Sequence, residues 1–234
     1  MLAPMTRGPR AVRHPWAGAV LSAGLALGLT GCAGIGQPAP YDSPGINGLV
    51  IPTPTPEPAD FVDRVDNPWL NLEPGTRSTL DVTDAGRTIG RIDVDVLDRT
   101  VAVAGLDATA VRTTTDLDGR ATSVTTRLYA QDRAGNVWWV GSDTETDGVS
   151  WRAGQDGAEA GLAMPADPRL GDGWLSYDVP GLPRASSTIE DQSSQLVQLR
   201  DEAGTTSRTV YEKGVGLVGL EDLQAGWTAE PVGT

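Results

Sequence analysis

Arg120 to Val140 reads RATSVTTRLYAQDRAGNVWWV. Two runs rich in Thr, Val, Leu and aromatic residues flank Asp132-Arg133-Ala134-Gly135, with Asp at the first turn position and Gly at the fourth. That order suits a type I turn followed by a residue at positive φ, which glycine adopts at little steric cost. Three-residue hairpin loops with a glycine bulge are built this way. With Asp132 facing Asn136, Tyr129 falls opposite Trp139, Ala130 opposite Trp138 and Leu128 opposite Val140. Successive strand residues point to opposite faces. Trp138 therefore joins Leu128, Ala130 and Val140 on a core face, and Trp139 joins Tyr129 on the other. That second face is either covered by more protein or is a binding surface.

The same punctuation recurs at Asp116-Leu117-Asp118-Gly119 and Asp201-Glu202-Ala203-Gly204, with a near copy at Thr83-Asp84-Ala85-Gly86. Each lies between strand-forming stretches, which predicts an antiparallel meander and gives these acids a role in turn chemistry. Ile92, Val94 and Val96 alternate with Arg91, Asp93 and Asp95, the pattern of a half-buried strand. The turn register sets Arg77 opposite Asp93. Val101 and Val103 continue that strand, and Gly105 permits a bend or bulge. Asp107 to Thr115 alternates less cleanly, as expected of a sheet covered on both sides or strongly curved. Further strands are expected at Trp174–Val179, Leu196–Arg200 and Thr206–Tyr211, with Gly214–Val218 turning into a final strand. Pro180–Ser194 reads as a loop and the tail after Trp227 as mobile. The fold expected is all-β: a curved antiparallel meander sheet or partly open barrel, with a long irregular loop over residues 141–173.

The first 60 residues have a different character. Arg7, Arg10 and Arg13 precede an apolar run from Trp16 to Leu29 that is too short to span a bilayer, which is the layout of an export signal. It ends in Leu29-Thr30-Gly31-Cys32, which resembles the bacterial lipobox, whose cysteine becomes the new N-terminus and carries a diacylglyceryl thioether. Residues 1–31 are read as a lipoprotein signal peptide and Cys32 as the lipidation site. Residues 32–60 are read as a tether, with seven prolines from Pro38 to Pro58 that favour extended polyproline II. Residues 61–234 are read as a single extracytoplasmic β domain. Trp69, Leu70 and Leu72, beside the turn signals Asn67-Pro68 and Pro74-Gly75, are expected to close one end of its sheet.

Composition excludes several chemistries. The chain of 234 residues has a formal net charge of −13. Removing the leader with its three arginines takes this to −16. Such a surface disfavours nucleic acid, whose binding relies on Lys and Arg neutralising phosphates. The one His, His14, and the one Cys, Cys32, fall in the leader and at its end. The mature chain thus lacks the parts for Ser-His-Asp, Cys-His and His-ligated zinc catalysis. Asp143, Glu145, Asp147 and Gly148 imitate the start of a calcium loop, but Gly154 stands where the bidentate Glu belongs. Metals and cofactors are therefore not expected.

The chain also resembles uncharacterised secreted proteins and lipoproteins, mostly of actinobacteria. The resemblance is carried by Asn67-Pro68-Trp69-Leu70, Tyr129-Ala130-Gln131-Asp132, Gly135-Asn136-Val137-Trp138-Trp139, Ser150-Trp151, Met164-Pro165-Ala166 and Gly214-Val215-Gly216-Leu217-Val218, and it covers most of residues 67–220. It implies a single β-rich exported domain and supplies no catalytic residues.

Three functions compete at this level. The first is a membrane-tethered, monomeric binding module for an envelope glycan, lipid or protein, with Tyr129, Trp139, Trp151 and Trp174 as the ligand-binding residues. The second is a structural or assembly partner of another envelope protein. The third is a hydrolase run on carboxylates alone, drawn from Asp143, Asp147, Asp156 and Asp167. The first is preferred, at the outer face of the cell membrane.

Overall fold

A computed structural model describes residues 51–53, 55–145 and 148–233. Cys32, its signal and most of the tether lie outside the described residues. The strands are β1 (Phe61–Val62), β2 (Arg77–Asp84), β3 (Arg87–Val103), β4 (Leu106–Leu117), β5 (Ser123–Asp132), β6 (Val137–Thr144), β7 (Trp151–Arg152), β8 (Glu159–Met164), β9 (Gly173–Asp178), β10 (Ala185–Gln192), β11 (Leu196–Glu202), β12 (Thr206–Glu212), β13 (Gly216–Asp222) and β14 (Trp227–Pro231). They make one antiparallel sheet of 14 strands in the order β1-β5-β4-β3-β2-β14-β13-β12-β11-β10-β9-β8-β6-β7. A further pairing of β5 with β6 joins its two ends, so all but β1 and β7 lie on a closed ring of hydrogen-bonded strands. The fold is all-β, as the turn signals require.

The central hairpin forms where its sequence places it. Tyr129 pairs with Trp139 and Ala130 with Trp138. Asp132 Oδ1 accepts the backbone N–H groups of Ala134 and Asn136, which fixes the turn. One pairing differs: Leu128 faces Gly141, because a bulge lies between Leu128 and Tyr129. Elsewhere the register moves further. Arg77 pairs with Asp95, not Asp93, and their side chains meet at 2.8 Å. The β2–β3 turn holds two residues, Ala85 (φ 47°) and Gly86 (φ 77°), the left-handed pair of a type I′ turn, and a bulge follows beside Val82. Ala104 and Gly105 repeat that geometry between β3 and β4, so Gly105 makes a hairpin rather than a bend.

Four expectations are corrected. Residues 141–173 are not one long irregular loop, since β6 runs on to Thr144 and β7 and β8 lie within the span. Pro180–Ser194 contains β10. The segment after Trp227 is β14, which pairs with both β13 and β2 and completes the ring. The folded body also begins before Phe61: Thr53 bridges Ala160 through both backbone groups, and Pro58–Asp60 forms a 3₁₀ turn.

Register carries one face around the ring. Arg127 lies opposite Val111, and Val111 opposite Val96. Two steps of two along β3 lead to Ile92, opposite Leu80. Val82 then faces Ala229, Ala229 faces Leu220, Leu220 faces Thr209, and Thr209 faces Leu199, two residues from Asp201. Leu80, Val82, Ile92, Leu199 and Ala229 are buried, so this is the inner face. The opposite face of β10–β13 carries a lattice of Arg200, Glu190, Arg208 and Glu221 at 2.8–3.5 Å. The entry segment packs into the core. Asn67 accepts the N–H groups of Trp69 and Leu70 and donates to Gly135 and Pro165, which leaves Trp69 and Leu72 in the core.

Candidate binding site

The β5–β6 bulge builds the site. Arg127 and Tyr129, two apart on β5, pair with Ser142 and Trp139, three apart on β6. The extra residue lets Trp139 and Ser142 share the face of Arg127 and Tyr129. The short strand β7 then sets Trp151 opposite Ser142 on that same face. Gly161, opposite Trp139 on β8, lets the chain of β9 come close: a Cβ there would lie 2.3 Å from the carbonyl oxygen of Leu175. That approach delivers Tyr177.

Four aromatic rings result. Trp139 is central, with ring centroids 6.4 Å from Tyr129, 6.0 Å from Trp151 and 4.9 Å, edge to face, from Tyr177. Trp151 and Tyr177 lie 5.5 Å apart. Trp139 Nε1 donates to the carbonyl of Gly141 at 2.8 Å. Over the Trp139 ring, 4.5 Å from its centroid, lies the guanidinium carbon of Arg127. Arg127 keeps solvent access, whereas Tyr129 and Trp151 are buried and Trp139 is half-buried.

A polar chain runs along the inner face of β9 to β12. Ser176 Oγ and Ser187 Oγ are 2.8 Å apart, Ser187 donates to Asp201 Oδ1, and Thr209 Oγ1 donates to Asp201 Oδ2 at 2.7 Å. Burial pushes the Asp201 carboxyl above its usual pKa, with the Ser187 and Thr209 hydrogen bonds and the Arg127 charge opposing. Burial likewise raises the Tyr211 hydroxyl, and the neighbouring Asp201 and Tyr129 add to it. Tyr177 is raised by burial, with Arg127 pulling the other way. For Arg127, burial works against the charge, but Tyr129, Tyr211 and Asp201 outweigh it and raise its pKa. These groups from β5, β9, β11 and β12 therefore feel one another across the ring.

Of the residues singled out in the sequence, the structure brings Tyr129, Trp139 and Trp151 together. Trp174 stands apart: it is 1% exposed, in the core, and its Nε1 donates to the carbonyl of Leu162 at 2.7 Å. Among the carboxylates, Asp143 is bound by Arg152 at 2.8 Å, Asp167 by Arg169 at 3.2 Å, and Asp156 sits in a turn at φ 51°. Asp147 lies outside the described residues. Arg127, Tyr177, Asp201 and Tyr211 were not anticipated. A signal existed for Arg127, two residues before Tyr129 and thus on the Trp139 face. Asp201 was assigned to a turn, but Glu202 pairs with Thr206 and the turn lies beyond, which leaves Asp201 within β11, opposite Ser187 and Ser207. No protein-family model, curated protein or solved structure matches the chain.

Proposed function

We propose that this protein is a lipoprotein on the outer face of the cell membrane, held through Cys32, that binds an envelope ligand at the aromatic and polar site inside its ring. The export signal and lipobox support the location. No described helix is long and apolar enough to cross a membrane. The observation that carries the binding role is Arg127: a guanidinium laid on Trp139 amid three more aromatic rings, yet open to solvent. Aromatic platforms with a few placed polar groups are the usual makeup of a small-ligand site. Tyr129 and Trp151 support the platform from below, and the ligand meets Trp139 and the polar groups around it.

The test is native mass spectrometry of the full lipoprotein extracted in mild detergent, then exposed to lipid and glycan fractions of the envelope. Wild type is expected to retain a bound component that the Trp139→Ala variant loses. Wild-type protein that stays free of any component in both fractions refutes the binding role.

A further inference from the structure

Arg127 is the cation that lies over the aromatic cluster. Its guanidinium carbon lies over the Trp139 ring, and Tyr129 stands two residues along on β5. It takes part in none of the ion pairs formed among the described residues, which engage Arg64, Arg77, Arg87, Arg91, Arg112, Arg152, Arg169, Arg200 and Arg208. Those pairs lie at the surface, where a partner contributes little. Arg127, on the aromatic face yet open to solvent, has no carboxylate at contact distance among the described residues. A guanidinium stacked on an indole keeps its in-plane N–H groups directed outward, in a fork that matches two oxygens of a carboxylate or phosphate. Asp201, across the ring, is already oriented by Ser187 and Thr209, and each of its oxygens retains acceptor capacity for a hydroxyl.

Resting on the binding role above, we infer that the site takes a polyol bearing an anionic group, with Arg127 holding the carboxylate or phosphate and Asp201 accepting from a hydroxyl. The hydroxyl-bearing part lies along Trp139, as a sugar or glycerol backbone does. A soluble sugar acid and an anionic lipid headgroup share this chemistry.

Calorimetry on the full lipoprotein in neutral detergent separates them. The probes are glucuronate and glycerol 3-phosphate, their uncharged counterparts glucose and glycerol, and micelles doped with phosphatidylglycerol against undoped micelles. At least one anionic probe is expected to bind at least about tenfold more tightly than its neutral counterpart, as a charge-assisted hydrogen bond supplies. Arg127→Met is expected to erase that difference, Arg127→Lys to restore part of it, and added salt to weaken binding. Response to the doped micelles alone identifies a headgroup; response to the soluble acids alone identifies a sugar acid or phosphate. Equal binding of charged and neutral probes, unchanged in Arg127→Met, overturns the anionic assignment. So does failure of every probe while an envelope fraction still binds, and in both cases the binding role itself stands. Failure of probes and envelope fractions together overturns both. Should Arg127→Met not fold, Arg127→Lys and the salt series decide the same question.

Discussion

At the scale of single residues, two hydrogen-bonded aspartates play opposite parts. Asp132 is 4% exposed and accepts from the backbone of Ala134 and Asn136, from the Asn136 side chain, and from Trp138 Nε1 at 2.9 Å. Removing it strands several buried donors at once. Asp132→Ala should cost about 3 kcal/mol in urea unfolding, since each orphaned buried donor costs about 1–3 kcal/mol. A loss under about 1 kcal/mol would contradict that network. Asp201 behaves otherwise. Burial raises its folded pKa above the unfolded value, so its contribution favours folding below the unfolded pKa and is lost as pH rises through the folded one. Asp201→Asn keeps the shape and loses the charge. It should be at least as stable as wild type at pH 7, with the advantage shrinking towards pH 4, while ligand binding falls. A variant less stable at pH 7 than at pH 4, relative to wild type, would show that Asp201 serves the fold instead. Gaining stability on losing a functional group is the expected signature of a site.

Strands and turns set how much was legible before the structure. The β5–β6 hairpin could be counted from Asp132 as far as the bulge at Leu128, because its turn is held by a side chain next in sequence, and two of the four proposed aromatic residues, Tyr129 and Trp139, came with it. Two of the strands that escaped notice, β8 and β10, lack apolar alternation. β8 is EAGLAM, whose Gly161 exists for the approach of β9, and β10 is ASSTIEDQ, whose buried Ser186 and Ser187 make sense only beside their neighbours. Asp201 was misplaced for a related reason: Asp-x-x-Gly spacing predicts a turn, but bulges and long-range pairing decide which residue is its first. Two element-level tests follow. Gly161→Ala forces a Cβ to within 2.4 Å of the Ser176 carbonyl carbon, a backbone atom that cannot swing aside. It should cost about 1–3 kcal/mol as overpacking does, with Gly219→Ala, whose nearest neighbour would lie at 3.4 Å, as the mild control. On β14, Ala229 (1% exposed) faces inward and its neighbour Thr228 is exposed. Ala229→Asp should therefore lower stability by about 3 kcal/mol or more, as an unpaired buried charge does, and Thr228→Asp by little. Equal effects would mean the inner and outer faces of β14 have been confused.

For the whole molecule, the proposal to test is that a closed ring of strands is carried on a lipid anchor. The entry segment is tied to the body: the Gly214 N–H donates to the Pro68 carbonyl, and Lys213 Nζ lies 5.5 Å from the centre of the Trp69 ring. The described core and ring closure lie between Ile51 and Gly233. Removing the lipid should then change where the protein resides and nothing else. In the proposed lipoprotein the diacylglyceryl thioether supplies two chains, and stable anchoring takes two such signals, whereas one alone holds only marginally. Cys32→Ser should abolish incorporation of labelled fatty acid and move the protein from the detergent-rich to the aqueous phase on phase separation. Its unfolding midpoint and its affinity for an anionic polyol should stay at wild-type values. Retention of label, or of membrane association, by Cys32→Ser would remove the thioether from the account; loss of folding with the lipid would mean that the anchor belongs to the body rather than carrying it.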